Sequence, residues 1–144
     1  MDTDTPSHWL GVVSAEHVSR GVRLGIAQIG HGRRSGLDRM RPGDWLVYYS
    51  PRERLGDTAM LQEFTAVGQV ADGEVWQADE GTFRPFRRPV DYVAEVSPVS
   101  VRSLDRHLDL TSTSSWGAQL RRGLIPLSEH DFAVIRDAMT SVPA

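Results

Sequence analysis

The residues Gly30-His31-Gly32-Arg33-Arg34 place an imidazole between two glycines and just ahead of two guanidinium groups. An imidazole there can hydrogen-bond a base edge or a phosphate. The flanking glycine N–H groups let a ligand approach the backbone, and Arg33 and Arg34 stand at the entrance. Gln28, three residues earlier, offers an amide that could read a base edge. The plainer structural reading is a histidine that ties down its own loop. A third reading makes His31 an acid or base, paired with Asp44, and a His107–Asp109 pair has the same potential. His8, His17, His31, His107 and His130 show no His-x-x-x-His spacing, so no metal site is expected. No Gly-x-Ser-x-Gly elbow is present, and a phosphate loop ending in Gly-Lys is impossible because the chain has no lysine.

All sixteen basic residues are arginine. Codon usage in a GC-rich genome explains such a bias, yet the physical result stands: each cation is a planar fork able to grip phosphate or stack on a base. The net charge of −3 argues against a protein that coats nucleic acid through phosphate neutralisation alone. Binding would need a local patch and a specific pocket. Phe83-Arg84-Pro85-Phe86-Arg87-Arg88-Pro89 interleaves rings and guanidinium groups, and Arg121-Arg122 follows Trp116 closely. Each of these pairs also reads as an ordinary solvated surface. Trp45 reads as core, whereas Trp76 and Trp116 stand among polar residues, where an indole can line a groove and stack on a flat ligand.

Short elements must position these groups. Trp9–Val13 is an apolar strand, and Ser14 is an N-cap for a helix over Ala15–Leu24 that turns Ala15, Val18 and Val22 inward and ends at Gly25. Mid-helix Gly21 predicts that this helix is short or broken. Gly25–Ile29 is extended, Pro42-Gly43-Asp44 is a turn, and Trp45–Tyr49 is a central strand. Leu61–Val70 is a strand with Gly68 as a bulge, and Asp72-Gly73 begins a hairpin. Phe83–Pro89 is broken by its prolines, and Tyr92–Val96 and Val99–Leu104 are extended. The clearest helix begins at Ser128, with a capping-box-like Asp131, a Leu127/Phe132 staple and Phe132, Ile135 and Met139 on one stripe. Five or six short strands and two or three short helices predict an α+β fold, a twisted β-barrel with helices outside.

The Gly30–Pro51 stretch, Trp9-Leu10 and Leu61–Gly68 together resemble the EVE family of the PUA-like superfamily, relatives of the YTH and ASCH domains. The resemblance runs from about Trp9 to Met139, giving one domain over 8–140 with tails at 1–7 and 141–144. It implies a small β-barrel that binds nucleic acid without catalysis and holds a modified base, methylated or hydroxymethylated cytosine or methylated adenine, in an aromatic pocket. DNA and RNA stay open as partners, and a separate nuclease is a further implied partner. Residue types and resemblance together nominate Trp9, Ser14, Gln28, His31, Gly32, Trp76, Phe86 and Trp116 for the base. Arg33, Arg34, Arg87, Arg88 and Arg121 are nominated for phosphate. The rival readings are a small hydrolase or nucleotide-processing enzyme using His31, and a small-molecule or protein-interaction module.

A chain of 144 residues can bury one continuous core. The absence of cysteine excludes disulfides and thiolate chemistry. No cofactor is expected. No apolar run approaches the roughly 20 residues of a bilayer span, and the polar N-terminus is unlike a signal peptide, so a cytoplasmic location is expected.

Overall fold

In the computed structural model, which describes residues 5–141, the run Trp45–Ser50 has five buried residues out of six. A strand buried on both faces belongs in the middle of its sheet. The strands are β1 (His8–Val12), β2 (Ile26–Ala27), β3 (Trp45–Ser50), β4 (Glu63–Val70), β5 (Trp76–Gln77), β6 (Phe86–Tyr92), β7 (Val99–Ser100) and β8 (Leu124–Pro126). Their order is β2-β6-β4-β3-β1-β8, with β5 on β6 and β7 on β4. The main path thus has six strands, and two further two-residue strands hang from it. The curled sheet with its short helices is an α+β half-barrel.

Period-two alternation along β3 divides the core. Val47 and Tyr49 face one side with Leu10, Phe64, Val67 and Ile125, covered by Phe132, Ile135 and Met139 of α5 (Glu129–Thr140). Leu46 and Tyr48 face the other with Ala27, Leu37, Ala66 and Val90, joined by Val18 of α1 (Ala15–Leu24). β1 and β3 are parallel, and the crossover between them carries α1, β2, the His31 loop and α2 (Ser35–Arg39). This crossover decides where the polar groups gather. Five short helical elements, α3 (Val101–Leu104), 3₁₀ turns over Asp105–His107 and Leu110–Ser112, α4 (Trp116–Gln119) and a 3₁₀ turn over Leu120–Arg122, lead back to β8.

Several local expectations are corrected. α1 runs unbroken for ten residues, because Gly21 is buried where a Cβ would stand 2.9 Å from the Ile26 carbonyl oxygen. Val22 is exposed instead of inward. Gly68 is not a bulge: it pairs in register with Leu46 and Tyr92, and its missing Cβ makes room for Val90 and Tyr92. The register shift lies between Tyr48 and Tyr49.

Residues 86–92 form a strand despite Pro89. The Pro89 carbonyl accepts from Ala71 N–H, and the Val90 N–H bonds the Gly25 carbonyl, so position 89 needs no donor. The Asp72-Gly73 turn does not fold β5 onto β4, since β5 pairs with β6. Val101–Leu104 is helical, capped by Ser100. Ser128 caps α5 by accepting from Asp131 N–H, but the Asp131 carboxylate leaves the capping box and takes the Asp109 and Leu110 N–H groups at 2.7 and 2.8 Å. Of the expected tails, residues 1–4 and 142–144 lie outside the described ones, and Ser7 bonds Asp44 and Trp45. No helix among the described residues is long and apolar enough to cross a membrane.

Candidate functional site

Three consecutive residues after Ile29 take positive φ: Gly30 at 56°, His31 at 59° and Gly32 at 84°. Glycine adopts this region freely, whereas His31 is strained there and must be held by its surroundings. The clamp is visible at Gly32. A Cβ at that position would stand 2.7 Å from Pro85 Cβ and 3.2 Å from Phe83 Cζ, so only glycine lets the loop seat against the 83–85 segment. Ile29, buried beneath, and the Gly32 N–H to Ile29 carbonyl bond of 3.0 Å fix the other end. The imidazole of His31 is thereby presented to solvent on a rigid turn.

Beside this turn lies a cavity of about 520 Å³, within the usual range for small-ligand sites. Val12, Val13 and Ser14 wall it where β1 meets α1. Gln28 to Arg33 and Leu120 to Leu124 supply the facing walls, and Pro51, Arg52 and Leu55 border its mouth. Its lining holds His17, His31, Arg33, Arg39, Arg52, Arg121 and Arg122 and, among the described residues, no carboxylate. An acidic chain has therefore gathered five arginines around one opening.

These cations are not equivalent. Arg39 stacks 4.9 Å over Trp9 and donates to the Leu124 carbonyl, and Arg52 donates to the Thr58 carbonyl. Arg33, Arg121 and Arg122 are exposed, and their guanidinium groups have no ion pair or hydrogen bond among the described residues. The rim thus offers three uncommitted forks.

Gln28 is oriented from behind. Arg87 Nε donates to Gln28 Oε1 at 2.9 Å, while Arg87 Nη2 donates to Glu80 Oε2 at 2.8 Å. Hydrogen bonding from Arg87 holds the Glu80 carboxyl below its ordinary range, with weaker help from the charges of Arg87, Arg20 and His17. Because Oε1 is engaged, the Gln28 amide keeps its NH2 as the group open to a ligand. Neighbouring Tyr48 contributes no acid or base: burial pushes its hydroxyl up to about 12.

Comparison with known proteins fits this construction. Residues 7–138 match the model of the EVE domain. This chain is an EVE domain. A UPF0310 protein of Renibacterium salmoninarum is 52% identical over 136 residues, covering 94% of this chain and 97% of that protein. A UPF0310 protein of Mycolicibacterium gilvum is 43% identical, covering 92% and 95%. A hypothetical protein from Leishmania major has a similar solved structure, with a TM-score of 0.61, 14% identity, and coverage of 94% of this chain and 95% of that one. A Pseudomonas putida protein gives 0.61 at 15% identity, covering 92% and 99%. These two structures share the fold.

Within this EVE domain, Ser14, Gln28, His31, Gly32, Arg33 and Arg121 line the cavity together. The four nominated rings do not. Trp9 donates its indole N–H to Asp44 at 2.9 Å and carries Arg39 on its face. Trp116 packs edge-on against Tyr49, 6.0 Å between centroids, on the opposite core. Phe86 lies under Arg34, and Trp76 sits exposed on β5 opposite Arg87. Among the described residues the lining of this cavity holds no Trp, Tyr or Phe; it is made of imidazole, amide, hydroxyl, guanidinium and aliphatic groups, so the structure does not bring the four nominated rings together here.

Among the nominated arginines, Arg88 lies farthest from the expectation. It is 5% exposed, and its Nη atoms donate to the carbonyls of Leu37, Met40 and Gly73, so it ties the crossover to the sheet. Arg34 is paired with Asp38 at 2.9 Å, and Arg87 is spent on Gln28 and Glu80.

The acid–base pairs are not assembled. Asp44 is buried and accepts from Ser7 N–H, Trp9 Nε1 and Arg41 N–H, and it is absent from the cavity. The His107 carbonyl, not its ring, is engaged, by His130 Nε2, while Asp109 accepts from Ser128. Ligand atoms of Asp109, His130 and Asp131 lie within 4.8 Å of one another, but both Asp131 oxygens already accept backbone N–H groups.

Reading the sequence missed His17, Arg39 and Arg52 as cavity residues, whereas Arg122 is marked there only as the partner of Arg121 in a basic pair. His17 lies three positions after Ser14, hence on the same helix face, and that spacing was the available signal. Arg39 and Arg52 carry no such mark, because separate turns bring them in.

Proposed function

We propose that this EVE domain is a non-enzymatic reader that takes one modified base of DNA or RNA into the cavity beside His31. The observation that carries the reading is a base-sized recess rimmed by Arg33, Arg121 and Arg122, with no carboxylate among the described residues of its lining, on an otherwise acidic protein. Such a rim draws the phosphates that flank a base, while the recess supplies selectivity. The Ser14 hydroxyl, the Gln28 NH2 and the His31 imidazole are the polar groups for the base edge. Val12, Val13, Ile29 and Leu124 supply apolar wall against which a methyl group gains contact and loses water. The planes that meet the base are imidazole and guanidinium groups, which stack on bases as aromatic side chains do. A methylated or hydroxymethylated cytosine, or a methylated adenine, is the ligand class.

Binding is favoured over catalysis by the surroundings of His31. Among the described residues no carboxylate lines the cavity to orient the imidazole, and Asp44, the expected partner, is committed to three donors elsewhere. Any cutting of the marked nucleic acid falls to a separate nuclease.

The test is fluorescence anisotropy with matched oligonucleotides carrying one 5-methylcytosine, one 5-hydroxymethylcytosine, one N6-methyladenine or no modification. One modified strand should bind more tightly than its unmodified twin. His31→Ala and Gln28→Ala should each cost roughly 1–2 kcal/mol of that affinity. Equal binding of all strands, or full affinity in both variants, refutes the reading.

A further inference from the structure

Leu55 is 81% exposed and borders the cavity mouth beside Arg52. A single exposed leucine on a mobile loop would say nothing. This loop, however, is pinned along its length. The Pro51 carbonyl accepts from Leu61 and Gln62 N–H at 2.8 and 3.3 Å. The Arg52 and Glu53 carbonyls cap the start of α1 by accepting from Ala15 and Glu16 N–H at 3.0 and 2.9 Å. Arg54 pairs with Glu16 at 2.8 Å. Asp57 closes the tip: its carboxylate accepts from Arg54 N–H while its own N–H bonds the Arg54 carbonyl, both at 3.1 Å, and Gly56 takes the φ of 90° that the reversal needs. All of this ordering leaves one branched apolar side chain standing in water at the edge of a cationic rim.

We infer that Leu55 is a wedge for duplex DNA: as the modified base swings into the cavity, Leu55 enters the vacated place in the base stack. This rests on the base-reading function proposed above and goes further, committing the partner to a double helix. Extruding a base costs unstacking energy, and apolar side chains such as leucine recover part of it by filling the step. Three observations support the assignment. Leu55 adjoins the recess that would receive the base. Its backbone is already ordered, so little entropy is lost on insertion. Arg121 and Arg122, which line the same recess, suit the phosphates on either side of the flipped nucleotide. A single strand has no gap to fill, so the wedge acts on duplex binding alone.

The experiment compares wild type, Leu55→Ser and Leu55→Phe on a DNA duplex with one modified base, on the same strand alone, and with 2-aminopurine next to the modified position. The probes are 5-methylcytosine and, separately, N6-methyladenine. Position 55 is exposed, so neither substitution should unfold the protein, and melting curves check this. Wild type should brighten the 2-aminopurine on binding. Leu55→Ser should lose most of that brightening and lower the ratio of duplex to single-strand affinity about tenfold, whereas Leu55→Phe should keep both. An unchanged ratio in Leu55→Ser overturns the wedge, as does a wild type that binds the modified strand but not its duplex. Equal weakening on strand and duplex also overturns it, making Leu55 a cavity wall and leaving the base pocket standing. Failure of wild type on both forms overturns the wedge together with the base-reading function.

Discussion

Removing the rim cations should change the salt dependence of binding by a countable amount. Among the cavity arginines, Arg33, Arg121 and Arg122 carry no ion pair or side-chain hydrogen bond among the described residues, so each is free to displace one counterion from a phosphate. Three contacts give a log–log slope of about −2.7 on duplex DNA and about −2 on a single strand. On duplex, the affinity should then fall about 40-fold between roughly 50 and 200 mM salt. The double variant Arg121→Gln/Arg122→Gln should leave a slope near −1, because about 0.9 is lost with each contact on duplex DNA. Arg34→Gln should leave the slope where it was, since Arg34 already serves Asp38 and lies off the cavity. The assay is anisotropy on one modified duplex over a series of sodium chloride concentrations, with the modified-to-unmodified ratio followed in parallel. That ratio should survive loss of the arginines, because phosphate contacts carry no base information. A wild-type slope near roughly −8 would mean a broad phosphate interface and refute the pocket-led account. A double variant with the parental slope would refute the assignment of the rim.

Other outcomes follow from residues whose roles are set by packing. Arg88→Met should cost about 2–4 kcal/mol, read as a fall in Tm of roughly 10 °C, because three carbonyls lose their donor even though a costly buried charge is removed. Gly32→Ala should cost about 2–4 kcal/mol from its φ of 84° and the 2.7 Å approach to Pro85, and it should weaken modified-strand binding more than Tm alone explains because His31 moves with it. Trp116→Ala should lower stability by about 2–3 kcal/mol in a denaturant titration while leaving affinity intact; a loss of affinity in a stable variant would return the indole to the binding site.

The chain's own pattern was sufficient for a definite set of features. The Ser128 cap and the Phe132, Ile135 and Met139 stripe mark α5, and the aromatic, β-branched Trp45–Tyr49 run marks the central strand, because capping and side-chain period are local physics. Gln28, His31 and Gly32 were legible as binding candidates for a related reason: they lie in or just before a polar, glycine-hinged loop whose chemistry is written within a few residues, whereas Ser14 read locally only as a helix N-cap. Nothing local separates Arg88 from Arg33, or Trp116 from a groove-lining indole. A guanidinium is buried or free according to whether carbonyls from residues far along the chain, Leu37 and Met40 here, arrive to meet it. An indole amid serines packs on the core, half-buried, when Tyr49 from another element meets it edge-on. The parallel crossover between β1 and β3 brings His17, the His31 loop and Arg39 to one side, and the 120–124 return brings Arg121 and Arg122 opposite. That meeting of segments about ninety residues apart is a property of long-range pairing, so the site's cationic rim, and the exclusion of carboxylates from it, belong to the tertiary structure.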